Sequence, residues 1–96
     1  MDNITMESTV CRTESIVTAD MDGETVMMHV ESGNYFGLGE VGSTIWSMLE
    51  EPIRVRSIVD RLSESYDVER ARCEAETLAF LVEMSTLGMI EEIVSQ

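Results

Sequence analysis

The sequence contains no lysine. Its six basic residues are all arginine, and they stand against 19 acids for a formal net charge of −13. Nucleic-acid affinity comes largely from neutralising phosphates with Lys and Arg, so this balance argues against DNA or RNA as a partner. Anionic membrane surfaces are disfavoured on the same ground. No apolar run approaches the roughly 18 residues of a membrane span. The stretch Met1 to Thr9 carries Asp2 and Glu7 and no basic residue, so it lacks the charged start and apolar centre of a signal peptide. A cytoplasmic location is the expectation. There is one histidine, His29, and one proline, Pro52. A lone histidine leaves no Cys–His–Asp order to test for nucleophilic catalysis. Internal repeats, low-complexity segments and Pro- or Gly-rich linkers are also missing.

What is present is ordinary globular composition: 96 residues, 44% hydrophobic, with a mean hydropathy of +0.01. That length allows one small domain with one compact core. The expectation is a single domain over 1–96 with its ordered core at about 15–92. Cys11 and Cys73 read as two reduced thiols rather than a disulfide. The eight methionines are scattered, six of them at 6, 21, 27, 28, 48 and 84, which marks them as core filler.

Pattern divides the chain into strand and turn over 1–39 and helix over 40–90. Ser15 to Ala19 holds the β-branched run Ile16-Val17-Thr18. Asp22-Gly23 is a tight-turn signal, and Thr25 to Val30 follows. Thr25, Met27 and His29 fall on one side of that strand and Val26, Met28 and Val30 on the other. Ser32-Gly33 is a second turn, leading to Asn34-Tyr35-Phe36-Gly37-Leu38. Two turns joining three short runs describe an antiparallel meander. Such a meander needs a cover for its apolar face.

The second half supplies the cover. Val41, Ile45, Met48 and Leu49 have helical spacing within Val41 to Glu50, with Trp46 beside them, and Pro52 stops that helix. Val55 to Ser65 repeats the pattern with Val55, Ile58, Val59 and Leu62. Asp67 is the expected N-cap of a third helix from about Glu69 to Leu87, and Gly88 the expected left-handed C-cap. Met89-Ile90 then folds back onto the core. Projected at about 100° per residue, the third helix carries one apolar group of Cys73, Phe80, Met84 and Leu87 and a second of Ala75, Leu78, Val82 and Met89. This arc is far wider than the stripe of about 100° that a surface helix needs. The helix therefore packs on both sheet and helices, leaves one flank open as a groove, or does both along different parts.

Catalytic constellations are missing. His29 in mid-strand reads as a structural residue. Gly37, Gly39 and Gly42 match Gly-x-Gly-x-x-Gly by spacing. The strand belongs to a meander, however, and no room remains for the parallel sheet of a dinucleotide fold, so these glycines read as a tight strand-to-helix junction. Glu50-Glu51 and Glu91-Glu92 are chain neighbours that point apart on a helix, a poor arrangement for acid–base or metal chemistry. No metal, no cofactor and no enzymatic activity are expected. The charge sums are −6 over 1–39, −3 over 40–67 and −4 over 68–96, so no block dominates.

Three strands followed by three helices is a winged helix-turn-helix in permuted order, an α+β fold. The stretch Asp22-Gly23, Val26-Met27-Met28, Gly33-Asn34-Tyr35-Phe36-Gly37-Leu38, Gly42, Ile45-Trp46 and Leu49 resembles the PqqD-like family. So do Ile58, Leu62, Tyr66, Val68, Phe80-Leu81, Met84 and Gly88-Met89-Ile90. The resemblance covers about 15–92, and one departure is Gly39, where the family commonly has Asn. It implies a recognition element for ribosomally made, post-translationally modified peptides, which binds the leader of a precursor peptide and presents it to modifying enzymes. The Tyr-Phe-Gly-Leu strand and the Tyr-Asp-Val…Cys spacing look most like the standalone lasso-peptide form. The partners implied are a precursor leader peptide and a leader peptidase or other modifying enzyme of the same pathway. The alternative is a chaperone for a radical SAM enzyme in pyrroloquinoline quinone synthesis.

The family places the leader between the third strand and the third helix. Asn34, Tyr35, Phe36, Gly37 and Leu38 would then form the edge to which an extended peptide adds as a fourth strand. With Phe80, Leu81 and Met84 read as core, Ala75, Leu78, Ala79 and Val82 become the candidate second wall. Two rivals are a winged-helix DNA regulator and a small enzyme or metal protein. In the first, Glu69, Glu74, Glu76 and Glu83 on the third helix would repel phosphate. The second lacks the residues for it.

Overall fold

A computed structural model describes residues 4–14, 16–21 and 24–93. Strands β1 (Thr9–Arg12), β2 (Ile16–Met21), β3 (Glu24–His29) and β4 (Tyr35–Leu38) precede helix α1 (Glu40–Met48). Strand β5 (Ile53–Arg54), helices α2 (Val55–Ser65) and α3 (Arg70–Thr86), and strand β6 (Ile90–Ile93) complete the order. The expected meander is present as the antiparallel sheet β2-β3-β4. The three helices follow it, so the α+β class holds. Of the two expected turns, Ser32-Gly33 is formed, with Gly33 at φ +75°. Asp22-Gly23 lies outside the described residues.

A second sheet was not expected. β1 lies at its centre, antiparallel to β5 on one side and β6 on the other. Its strands are two to four residues long and polar, as in Thr-Val-Cys-Arg and Ile-Glu-Glu-Ile, too short to display a period. Glu91 and Glu92 therefore belong to a strand, not a helix, and alternate across it. This sheet binds the chain ends to the helices. Arg12 N–H donates to Leu49 O at 3.0 Å, Thr13 N–H to Met89 O at 3.1 Å and Val55 N–H to Ser8 O at 2.9 Å.

The helices keep most of the expected bounds, with two corrections. α1 ends at Met48, where Leu49 N–H reaches back to Trp46 O at 3.1 Å, four residues before Pro52. Pro52 instead precedes β5. Asp67 does not cap α3: the N-cap is Glu69, without a side-chain hydrogen bond. Gly88 does end α3 in the left-handed region at φ +77°, and Met89 N–H satisfies Met84 O at 2.9 Å. A Cβ there would lie 3.3 Å from His29 Nε2, so the glycine also admits β3 close to the helix end.

The core joins both sheets to all three helices. Val10, Met27, Leu49, Val55, Ile58, Val59, Leu81, Met84 and Met89 are fully buried. Trp46 anchors it, with its indole Nε1–H donating to Thr18 Oγ1 at 3.2 Å and so tying α1 to β2. The Arg12 guanidinium lies 4.5 Å above the Trp46 ring centroid. Its Nε and Nη2 donate to Trp46 O at 3.1 and 2.7 Å. An arginine from β1 thus caps α1, whose last turn has no basic residue of its own.

Candidate functional site

The chemistry-bearing residues first. Both cysteines are free. Burial, reinforced by Glu91, pushes the Cys11 thiol above its ordinary range, the opposite of the shift that activates a nucleophilic cysteine. His29 Nδ1 accepts the Ser32 backbone N–H at 3.2 Å, so the imidazole braces the β3–β4 turn. Among the described residues no group of three or more His, Cys, Asp or Glu could hold a metal ion. No helix among them is long and apolar enough to cross a membrane. Of Gly37, Gly39 and Gly42 only Gly42 is closely packed: a Cβ there would meet Leu38 Cδ2 at 3.2 Å, whereas one on Gly37 or Gly39 would meet nothing within 4 Å, and Ser43 N–H closes the first turn onto Gly39 O at 2.8 Å.

Two surface features lie close together. The first is β4, which among the described residues lies at the edge of its sheet. Leu38 is buried, Phe36 half-buried, and Tyr35 75% exposed. Asn34 lies just outside the strand, where its carbonyl accepts the His29 N–H at 2.9 Å.

The second is an apolar cleft of about 190 Å³ where the start of α1 approaches the α2–α3 connection and α3. Val41, Ile45, Tyr66, Val68, Cys73 and Phe80 supply most of its apolar wall. Val41 and Val68 are nearly half exposed at its mouth. The Tyr66 hydroxyl is held 3.1 Å from Thr44 Oγ1, and an Arg72–Glu76 ion pair at 3.0 Å sits at the polar rim. α1 begins two residues after β4 ends, and Gly42 of the cleft lining packs on Leu38 of β4, which sets the cleft near the C-terminal end of that strand.

The third helix buries a narrower stripe than its composition suggested: Cys73, Thr77, Leu81 and Met84. Thr77 is 3% exposed and was not legible as core in the sequence, since a hydroxyl breaks the apolar pattern. Phe80, expected as core, is only half-buried and lines the cleft. On the other flank Ala75, Ala79 and Val82 are exposed and Leu78 is half-buried against the core. The two apolar groups of the projection thus face different surroundings. The Cys73–Phe80 side meets α1 across the cleft, and the Ala75–Val82 side is open.

A three-stranded antiparallel sheet followed by three helices defines a winged helix-turn-helix-like α+β fold. The family model described as coenzyme PQQ synthesis protein D (PqqD) matches residues 24–90, and the chain belongs to that family. The solved structure of TbiB1 in complex with the TbiA(beta) leader peptide is similar at 36% identity and a TM-score of 0.80. That match covers 88% of this chain and 99% of TbiB1. Lasso peptide synthetase B1 complexed with the leader peptide shares the fold, with a TM-score of 0.77 at 23% identity over 85% of this chain and 96% of its own. The comparison with curated proteins returns no match.

Proposed function

We propose that this chain is a cytoplasmic, non-catalytic recognition domain. It binds the leader region of a ribosomally made precursor peptide and presents it to a lasso-pathway enzyme, most directly the leader peptidase. The observation that carries the reading is the juxtaposition of the β4 edge with the apolar cleft at the start of α1. An extended peptide paired with Asn34 to Leu38 gains main-chain hydrogen bonds, and the cleft receives one of its aliphatic or aromatic side chains. Membership of the PqqD family and likeness to TbiB1 with its leader peptide support the same assignment.

For the second wall, the concave side with Val41 and Phe80 suits a buried anchor better than the convex, exposed side with Ala75, Leu78, Ala79 and Val82. Titration of a synthetic leader peptide into isotopically labelled protein tests the reading. Amide shifts should concentrate on 34–38. Val41→Glu should weaken binding at least tenfold without unfolding, and Val82→Glu should leave it within twofold. The reverse ranking moves the groove to the Ala75–Val82 flank. Shifts that avoid 34–38 reject strand addition altogether.

A further inference from the structure

The two walls of the cleft belong to different halves of the molecule. Val41 and Ile45 come from α1, which packs on β3 and β4. Val68, Cys73 and Phe80 come from the α2–α3 connection and from α3, which packs on α2 and β6. The α1 wall moves with β4, because Ser43 Oγ donates to Leu38 O at 3.3 Å and Gly42 lies against the Leu38 side chain. The width of the cleft is therefore the separation between the β4–α1 unit and the α2–α3 pair.

Among the described residues, one hydrogen bond joins the two walls: Tyr66 Oη and Thr44 Oγ1 are 3.1 Å apart. Its direction follows from the protons available. The Thr44 hydroxyl has one, and it donates that proton to Glu40 O at 3.0 Å. Tyr66 O–H is therefore the donor and Thr44 Oγ1 the acceptor. The base of the tyrosine is fixed from both sides. Its backbone N–H donates to Leu62 O at 2.8 Å, and its carbonyl accepts the Val68 N–H at 3.0 Å. Its ring is half-buried against the core. The last turn of α1 is held separately, by Arg12 on Trp46 O and by Trp46 Nε1–H on Thr18. Across the cleft, the first half of α1 is held by the phenol.

We propose that Tyr66 is the specificity-determining residue of the cleft: its hydrogen bond to Thr44 fixes the span between α1 and α3 and so limits the size of the apolar group that the cleft admits. That the natural occupant is a side chain of a bound peptide rests on the strand-addition reading; the strap and the size limit do not. An apolar cavity of about 150 Å³ holds one benzene ring. At about 190 Å³ the cleft suits a single ring or a branched aliphatic group. Without the strap, α1 is free to shift outward with β4. A larger group then gains room, and a small one loses its preformed fit.

The test uses the isotopically labelled full chain with two probes, toluene and indole, titrated separately. Amide shifts of Val41, Val68 and Phe80 read occupancy. Size discrimination by an apolar pocket is modest, so Tyr66→Phe should move the affinity ratio toward indole by about fivefold or more. Its melting temperature should stay near that of the wild type, because Thr44 keeps Glu40 O as partner and the ring keeps its packing. Thr44→Val should move the ratio equally, and the double variant no further than either single one, since both remove the same bond. Thr44→Ser keeps the acceptor and should keep the wild-type ratio.

An unchanged ratio in Tyr66→Phe, additive effects in the double variant, or probes that leave the wild-type cleft amides unmoved overturn the inference. Equal weakening of both probes also overturns it, because the tyrosine would then be structural only. Titration of a synthetic leader peptide separates the two readings. If the wild type binds it while the probe ratio ignores Tyr66, the strap fails and peptide recognition stands. If the ratio shifts but no leader peptide binds, peptide recognition fails and the strap stands.

Discussion

The two sheets of this small protein have the same number of strands and opposite roles. The sheet β5-β1-β6 is short and polar in sequence, yet its central Val10 is fully buried. Its backbone is hydrogen-bonded to the ends of α1 and α2 and to the chain after α3. The sheet β2-β3-β4 is the longer and more apolar one, yet it covers the core with one face only and leaves a face and an edge open. The comparison teaches that strand length and hydrophobicity did not decide which sheet is structural. What decided it was the number of other elements that close over each.

The sharpest way to break the contrast is to put the same charge into both sheets. Val10→Asp buries a carboxylate with no partner and should cost about 4 kcal/mol or more, enough to leave this small domain unfolded or nearly so. Val17→Asp on the exposed face should cost about 1 kcal/mol or less. Urea midpoints of the two variants measure the difference, and equal losses would show that the outer face is not open.

Next in size is the arginine that joins the structural sheet to α1. Arg12→Ala removes two charge-assisted hydrogen bonds to Trp46 O and a cation–π contact, for an expected loss of about 2 kcal/mol. Burial pulls the Arg12 guanidinium below its ordinary value, with Glu50 partly opposing, but an arginine remains charged at any physiological pH. Arg12→Lys should recover little, because an ammonium cannot both stack and fork.

A smaller contrast lies in two left-handed glycines. Both Gly33→Ala in the open sheet's turn and Gly88→Ala at the end of α3 incur about 1 kcal/mol of backbone strain. Only the second also drives a methyl against His29 Nε2, so its melting temperature should fall further. Equal shifts would mean that His29 moves aside freely.

The smallest effect is electrostatic. Arg56 holds the Glu7 carboxyl below its ordinary 4.5 through a hydrogen bond. A depressed carboxylate stabilises the fold above its unfolded-state value and loses that contribution as pH falls through the folded value. The wild type should therefore lose slightly more thermal stability than Glu7→Gln between pH 5 and pH 3, and salt should shrink the gap because both side chains are half exposed. Indistinguishable profiles would show the pair to be inert.

Much of this architecture was legible in the sequence. The meander, α2 to the residue, the Gly88 cap and the β4 edge all follow from local rules: alternation, 3.6-residue periodicity, turn chemistry and the demand for φ above zero. Three elements were not legible. β1, β5 and β6 are too short for a period, and each is a strand only because the others lie beside it. Phe80 was read as core and is only half-buried, and the burial of Thr77 was not read at all, since composition favours Phe for the core and Thr for the surface, while helix placement set Phe80 at the rim of a cleft and buried Thr77 one turn from Cys73.

The sequence by itself determined the fold class, the family resemblance and the sign of the charge, because each depends on residues read along the chain. Only the tertiary structure decided how that charge is distributed. Segment sums of −6, −3 and −4 showed no dominant block. Folding pairs Arg56, Arg70 and Arg72 with Glu7, Asp60, Glu74 and Glu76, and it lays β2, β3 and β4 side by side within a stretch, 13–39, that has acids and no arginine. Charge along a chain is a sum, whereas the field that a partner meets is a matter of which side chains share a face, and register sets that.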